Sequence, residues 1–274
     1  MEISRLPVCS QCIAHLSRAP GPACFICGEN LGAFDLPAGD ARPPQGHFPG
    51  MGSPAAQGII CRMCTRARPP YARMVYYGDY EGRLRDLIHL LKYQRVQPAA
   101  KVLGRLLWLV VSTDLGEASG AEGWLVVPAP LHASRRRARG FNQAQEIAAA
   151  LVACAAQQSA SPGSPSPQPW EMDAAMLSRT RATETQTGKT THQRRFNVRG
   201  AFAVNHPERL QDRDILLIDD VMTTGATVAE CARVLRRAGC RTVWVATVAR
   251  VLKMSVPKAV SWESDDHQRP VIHH

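Results

Sequence analysis

The run Ile215-Leu216-Leu217-Ile218-Asp219-Asp220-Val221-Met222-Thr223-Thr224-Gly225-Ala226-Thr227 constrains this chain more than any other. Four consecutive apolar residues describe a strand buried on both faces, the habit of a parallel sheet covered by helices. Two adjacent carboxylates then stand at the carboxyl end of that strand, where open α/β sheets take their ligands. A short turn follows, rich in hydroxyls and containing Gly225, so its backbone N–H groups can close on an anion. A helix starting near Ala226 adds unpaired N–H donors and the positive end of its dipole. A phosphomonoester fits such a turn, and the carboxylates lie about one sugar ring away, suited to hydroxyls or to a Mg²⁺ that holds them. An ordinary turn with helix-capping threonines would account for a lone Asp-Asp or Thr-Thr-Gly, but not for the whole run in this order.

The flanking patterns agree with an α/β domain. Leu84, Leu87, Ile88 and Leu91 fall on one helical face, and a second helix is predicted over Ala99–Val111. Trp124–Val127 reads as a buried strand ending at Pro128, and Phe141, Ala144, Ile147, Ala148, Leu151 and Val152 return to helical spacing. After the central run, Val228, Cys231, Ala232 and Leu235 share a helix face that Gly239 stops, and Thr242–Val248 is a further buried strand. Strand, helix, strand in that order predicts a right-handed parallel crossover. The chain of 274 residues therefore divides into a cysteine-rich module over 1–70, an α/β domain over 71–252 and a tail over 253–274. Residues 159–169, rich in Ser and Pro, are expected to be a flexible insertion.

The net charge of +10 favours acidic partners: phosphorylated metabolites, nucleic acid or an anionic surface. Part of it is concentrated in Arg135, Arg136, Arg137 and Arg139, expected in a loop between a strand and a helix. More lies in Arg179, Arg181, Arg194 and Arg195, within a Thr/Arg/Gln-rich stretch with the composition of a mobile lid. Other nucleotide motifs fail. Gly188-Lys189-Thr190 imitates the end of a P-loop, but Thr183 stands where the first glycine belongs, and no GxGxxG follows a strand. The longest apolar run, Leu106–Val111, is far short of the ~20 residues of a membrane span, and no secretory signal is evident. A cytoplasmic location is the expectation, and a reducing compartment favours metal binding over disulfides for the nine cysteines.

The thirteen-residue run resembles the phosphoribosyl diphosphate (PRPP) motif of the type I phosphoribosyltransferases. That resemblance implies that Asp219 and Asp220 contact the ribose 2′- and 3′-hydroxyls. Val221 and Met222 lead into a 5′-phosphate cradle completed by Thr223, Thr224, Gly225, Ala226 and Thr227, with Mg²⁺ accompanying PRPP. Several further segments stand in order: Leu91-Lys92-Tyr93, then Val127-Pro128-Ala129-Pro130-Leu131, then Arg139-Gly140-Phe141-Asn142-Gln143, then Arg179 to Gly200-Ala201-Phe202. With the cysteine pairs, they are similar to the ComF family of late-competence proteins from Cys9 to Arg250. The resemblance implies a type I phosphoribosyltransferase fold, a parallel Rossmann-like sheet, with a small N-terminal zinc ribbon. It also implies a link to DNA uptake, single-stranded DNA and the recombination and competence proteins that handle it. Lys92, Arg135 and Arg139 are diphosphate-side candidates, and Arg179, Arg181 and Arg194 are lid candidates. No residue stands out as a general base, and nothing identifies an acceptor.

Cys9-x-x-Cys12, Cys24-x-x-Cys27 and Cys61-x-x-Cys64 are three metal-knuckle half-sites, of which two complete a tetrahedral zinc. The preferred pairing is Cys24 and Cys27 with Cys61 and Cys64. Cys9 and Cys12 either lack partners or draw on His15 or His47. Cys154, Cys231 and Cys240 are expected in packed surroundings. Two functional classes remain open: a transferase releasing diphosphate from PRPP, and a binding module that holds a ribose phosphate while contacting single-stranded DNA. Only five Trp, five Tyr and six Phe are available, too few for a long base-stacking platform.

Overall fold

The computed structural model describes residues 16, 23–31, 58–115, 123–159, 170–181 and 197–251. Seven strands occur among them: β1 (Arg73–Asp79), β2 (Trp124–Pro128), β3 (Trp170–Met172), β4 (Leu177–Arg179), β5 (Phe202–Val204), β6 (Asp214–Met222) and β7 (Thr242–Arg250). Five make one sheet in the order β1-β7-β6-β2-β3, parallel at every pairing, while β4 and β5 form a separate antiparallel pair. The chain therefore has the parallel α/β architecture expected from the apolar runs, since strands such as β2 are buried at every position.

Both faces are covered. Three helices, α2 (Gly82–Gln94), α3 (Pro98–Leu115) and α5 (Gln143–Ser159), pack on one face, burying Leu84, Leu87, Ile88, Leu91, Leu103, Leu107, Ile147 and Leu151 against Val126, Leu216 and Ile218. On the other face α6 (Ala226–Arg237) places Val228, Cys231, Ala232 and Leu235 over Ile215, Leu217 and Val245. Cys24, Ile26, Cys61 and Cys64 share that second core with Met74 and Tyr76 of β1. The cysteine segment also closes the sheet edge, because the Met74 N–H donates to the Ile26 carbonyl at 2.8 Å, using a group an edge strand would otherwise expose.

Several elements differ from expectation. The arginine run is a helix, α4 (Ala133–Arg139), capped by the His132 ring, which accepts the Ser134 N–H, and stopped at Gly140 with φ +85°. It buries no residue, so no apolar period could announce it. Strand β1 has no sequence signature, because a strand buried on both faces shows no alternation. Strand β6 runs on to Met222, so both carboxylates lie within the strand rather than just beyond it. The last of the helix expected near Ala226 comes as predicted, with Gly239 at φ +99° beyond it. The insertion after Ser159 and the tail after Val251 lie outside the described residues. Among the described residues no helix is long and apolar enough to cross a membrane.

Alternation slips by one residue where β6 and β7 reach their carboxyl ends. Leu216, Ile218 and then Val221 pack with the first core, while Ile215, Leu217 and then Met222 pack with the second. Ala246, Val248 and Ala249 of β7 show the same slip. With strict alternation Val221 would face the other way. Such a slip re-aims side chains beside a site.

Helices α3 and α5 approach most closely at Gly104, where an added Cβ would lie 2.5 Å from Ala150 Cβ and 2.9 Å from the Ile147 carbonyl oxygen. Gly104→Ala gains up to ~1 kcal/mol of helix propensity, but forcing the helices apart costs about 1–3 kcal/mol. The overpacking wins, and denaturant unfolding of Gly104→Ala will show a lower midpoint with an unchanged slope.

Candidate functional site

The carboxyl end of β6, the turn after it and the start of α6 form one continuous surface. Gly225 sits at φ +73° before α6, and a Cβ there would come within 2.6 Å of Met222 Cε. Only glycine makes this turn without strain. The turn encloses a hollow of about 20 Å³ lined by Asp219, Val221, Met222, Thr223, Thr224, Gly225, Ala226 and Thr227. That is room for roughly one oxygen. Thr224 Oγ1 is buried there without a hydrogen-bond partner, and the first N–H groups of α6 have none within the helix. An anionic oxygen would satisfy both.

A larger cavity of about 520 Å³ opens beside the hollow. Asp219, Asp220, Val221, Thr223 and Thr227 form one wall, and Lys92, Arg135, Arg139 and Arg179 line the others. The structure thus brings together four of the six predicted cationic residues with Asp219, Asp220, Thr223 and Thr227, while Thr224 lines the adjoining hollow. Arg181 is not in the cavity. Its guanidinium donates to the carbonyls of Asn197 (3.3 Å) and Arg199 (3.0 Å), tying the end of β4 to the segment before β5. Arg194 lies outside the described residues.

The two adjacent carboxylates face different surroundings. Asp220 is 5% exposed, and its Oδ2 lies 2.7 Å from Lys92 Nζ of α2. The contact is an ion pair out of line for a hydrogen bond, since that oxygen accepts none. Burial works against the charge on Lys92, yet the Asp220 carboxylate wins and holds the ammonium above its ordinary range. Lys92 thus lines the cavity while paired with Asp220. Asp219 keeps some exposure at the cavity floor, but surrounding protein and then the Asp220 charge push its carboxyl up to about 7. Beneath it Cys231 is fully buried, its thiol held neutral by burial and by the Asp219 charge, which fits the expected core role.

Basic groups crowd the opposite wall. Arg179 is held below the usual guanidinium range by burial and then by the Arg135 charge, so two cations face one space. Arg139 lies 5.6 Å from the Tyr93 ring, which is 65% exposed at the cavity mouth. Three lining residues escaped the sequence reading: Tyr80, Tyr93 and Gln143. Gln143 is 5% exposed with Oε1 unpaired, and it directly follows Asn142, whose Nδ2 donates to the Ala129 carbonyl and whose Oδ1 accepts the Ala144 N–H. Asn142 thus joins the start of α5 to the end of β2 and places Gln143 in the cavity. The adjoining Arg139-Gly140-Phe141 segment was the available signal for it.

The cysteines gather as expected from their spacing. The Sγ atoms of Cys24, Cys27, Cys61 and Cys64 lie within 4.8 Å of one another, with Cys27 and Cys61 at 3.8 Å. Tetrahedral Zn–S bonds of ~2.3 Å require about that separation, and it is far too long for an S–S bond. The Cys61 N–H points at Cys24 Sγ (3.3 Å) and the Cys64 N–H at Cys61 Sγ (3.4 Å). Hydrogen bonds from Cys27 and Cys64 hold the Cys24 thiol far below its ordinary range, while the reciprocal bond to Cys24 pushes Cys27 up to about 12 and raises Cys64 as well. One thiolate is tolerated and four are not, unless a cation neutralises them. The four cysteines could hold a metal ion. Cys9 and Cys12 lie outside the described residues.

Raising Asp219 above its unfolded value of ~3.9 means the folded state resists its ionisation, so this group costs stability progressively as pH rises from about 4 through about 7. Asp219→Asn removes that cost. In the absence of ligand its unfolding free energy will exceed that of the parent at pH 8 by on the order of 1–3 kcal/mol, and the difference, read by denaturant unfolding, will shrink towards pH 4.

Comparison with known proteins places this geometry. A phosphoribosyl transferase domain model matches residues 138–269. The chain is 33% identical over 235 residues to DNA utilization protein YhgH of Escherichia coli O157:H7, covering 84% of this chain and 97% of that protein. It is 29% identical over 248 residues to competence protein F of Haemophilus influenzae, covering 88% and 96%. Among solved structures, a hypoxanthine phosphoribosyltransferase from Staphylococcus aureus aligns over 60% of this chain and 70% of its own, at 14% identity and a TM-score of 0.29, too low to add to the topology already described. With curated relatives matched over nearly their whole length and a transferase domain model over the ribose-phosphate run, the chain belongs to the ComF family of phosphoribosyltransferase-like proteins.

Proposed function

We propose that the cavity binds PRPP or a related ribose 5-phosphate with Mg²⁺, and that the protein serves DNA uptake through the handling of single-stranded DNA. The observation that carries the ligand is the pairing, on one strand end, of two carboxylates with a closed turn whose buried Thr224 hydroxyl has no partner. The 5′-phosphate seats in the turn against the N–H groups of α6, with Thr223, Thr224 and Thr227 donating hydroxyls. Asp219 and Asp220 then accept from the ribose 2′- and 3′-hydroxyls. Asp219 and Asp220 would hold a Mg²⁺ with the ligand, and it would supply positive charge there. Binding such a cationic load brings Asp219 back into the ionised state that the empty pocket resists. Lys92 holds Asp220 in place, while Arg135, Arg139 and Arg179 supply charge to the diphosphate. Competence protein F and the DNA utilization proteins lend the DNA link by name.

A second reading, an active transferase, is favoured by the position of those three arginines across the cavity from the turn. Diphosphate loss builds negative charge on that side and positive charge on the sugar, and preorganised cations lower the barrier without a general base. In either reading the module over 1–70 carries a structural zinc on Cys24, Cys27, Cys61 and Cys64, and residues 71–252 form the phosphoribosyltransferase-like domain.

Calorimetric titration of PRPP in the presence of Mg²⁺ will show one site, abolished by Asp219→Asn/Asp220→Asn. No heat at millimolar ligand would remove the ligand claim. Diphosphate release over a panel of bases separates the readings, since the binding module releases none. Mass spectrometry of the native protein will find one zinc per chain, lost in Cys61→Ser, and a metal-free native mass would sink the zinc assignment.

A further inference from the structure

Arg250 is the last residue of β7, and it stands at the ligand end of the sheet between Met222 of β6 and Asp79 of β1. The main chain here reaches two parts of the ribose-phosphate site. The Arg250 carbonyl accepts the Tyr80 N–H at 2.7 Å, and Tyr80 lines the large cavity. The N–H of the next residue, Val251, donates to the Met222 carbonyl at 2.8 Å, and Met222 packs its Cε against Gly225 in the phosphate turn. The Arg250 side chain ends in the cysteine segment. One guanidinium nitrogen donates to the Cys27 carbonyl at 2.6 Å, and the other pairs with the Glu29 carboxylate.

A buried ion pair is by itself weak evidence even for stability. The setting of this one says more. Arg250 is 4% exposed, and its second partner is the backbone of a cysteine in the sulfur cluster rather than another acid. The turn that supplies both partners closes on itself, with the Cys24 N–H on the Glu29 carbonyl and the Gly28 N–H on the Cys24 carbonyl, each at 2.8 Å. It is fastened to β1 separately, by the Met74 N–H on the Ile26 carbonyl. The other half of the cluster is Cys64, in the short helix α1 (Arg62–Arg66), and Cys61, its cap. Four thiolates stay this close only around a cation. When the cation leaves, mutual repulsion loosens the Cys24–Glu29 turn, and with it the two partners of Arg250. A second place for the guanidinium lies beside it. Asp79 is its neighbour across the β1–β7 pairing, and the buried Oδ1 of Asp79 accepts no hydrogen bond. Arg250 on the cysteine turn and Arg250 on Asp79 are the two states that a coupling between sites requires. Each lies one residue from a contact to the ligand site, since Tyr80 follows Asp79 and Val251 follows Arg250.

We propose that Arg250 is a positioning residue for the ribose-phosphate site, through which metal held by the four cysteines sets the affinity for the ligand. The proposal presupposes that the cavity binds PRPP, as argued in the preceding subsection. Coupling of this kind is reciprocal, so the ligand tightens the metal by the same factor.

Calorimetry of the full chain with PRPP and Mg²⁺, before and after zinc is stripped by a zinc-selective chelator that is then removed, tests it. The stripped chain will bind PRPP at least ~fivefold more weakly, and PRPP will protect the zinc of the parent against the chelator by a like factor. Glu29→Gln/Arg250→Gln removes both charges, so that neither is left buried alone. In that variant PRPP affinity will be low and the same with or without zinc. An Arg250 that only stabilises the fold would lower the unfolding midpoint of the variant and leave its response to zinc in place. Should the stripped chain or the variant unfold by circular dichroism, protection of zinc by PRPP in the parent carries the test without either. Equal PRPP affinity with and without zinc, no protection of zinc by PRPP, or an undiminished zinc response in the variant overturns the proposal and leaves the ligand standing. No PRPP heat from the zinc-loaded parent removes the ligand reading, and this proposal with it.

Discussion

Two carboxylates adjacent in sequence cannot both point to one side of a regular strand, and packing them at a buried strand end sets them against each other electrostatically. The structure resolves this by letting the alternation of β6 slip between Ile218 and Val221, with β7 slipping alongside. Asp220 then meets Lys92 on α2, whereas Asp219 faces the cavity and remains reluctant to ionise. Main-chain N–H groups of Asp220 and Val221 turn to the carboxylates of Asp219 and Asp220, at 2.9 and 2.7 Å. One acid is thus paired with a cation, while the other bears the cost of burial beside it. An unfavourable term of this kind persists where a site needs it.

The cysteine segment is more than an appendage to the sheet. Its Ile26 carbonyl caps the β1 edge, and its buried cysteines share a core with β1. Arg250, at the end of β7, is buried and donates to the Cys27 carbonyl at 2.6 Å while pairing with Glu29. Val251, the next residue, donates its N–H to the Met222 carbonyl at the mouth of the phosphate turn. A chain of hydrogen bonds therefore runs from the cysteine segment, through Arg250 and Val251, to the turn. Losing one partner of the Arg250–Glu29 pair would leave a buried charge, a cost of about 3–5 kcal/mol.

Positive charge is divided between the two ends of the sheet. The carboxyl end holds it beside two adjacent acids and the hydroxyls of Thr223 and Thr227. The amino end holds five arginines, of which Arg233 and Arg241 pair with the buried carboxylates of Glu230 and Asp214. One net charge of +10 is thus split between two ends of the sheet, which composition could not separate.

Local chemistry with a short reach was legible in the sequence. The Ile215–Thr227 run, the apolar helix faces, the Gly239 stop and the pairing of Cys24 and Cys27 with Cys61 and Cys64 all depend on neighbours a few residues away or on fixed metal geometry. Strand β1 and helix α4 were not legible, one because burial on both faces erases alternation, the other because it buries nothing. Roles that depend on partners distant in the chain were assigned only by folding. Lys92, read as a diphosphate contact, is 128 positions from the Asp220 it neutralises. Arg181 braces the backbone instead of entering the cavity. Gln143, Tyr80 and Tyr93 enter it unannounced, and five arginines scattered from Arg68 to Arg241 become one groove. The sequence by itself determined the carboxylate, hydroxyl and glycine run of Ile215–Thr227 and the four paired cysteines that could hold a metal. Only the tertiary structure decided which charges meet, because Coulomb and hydrogen-bond energies depend on separation in space, and sequence distance does not fix that separation.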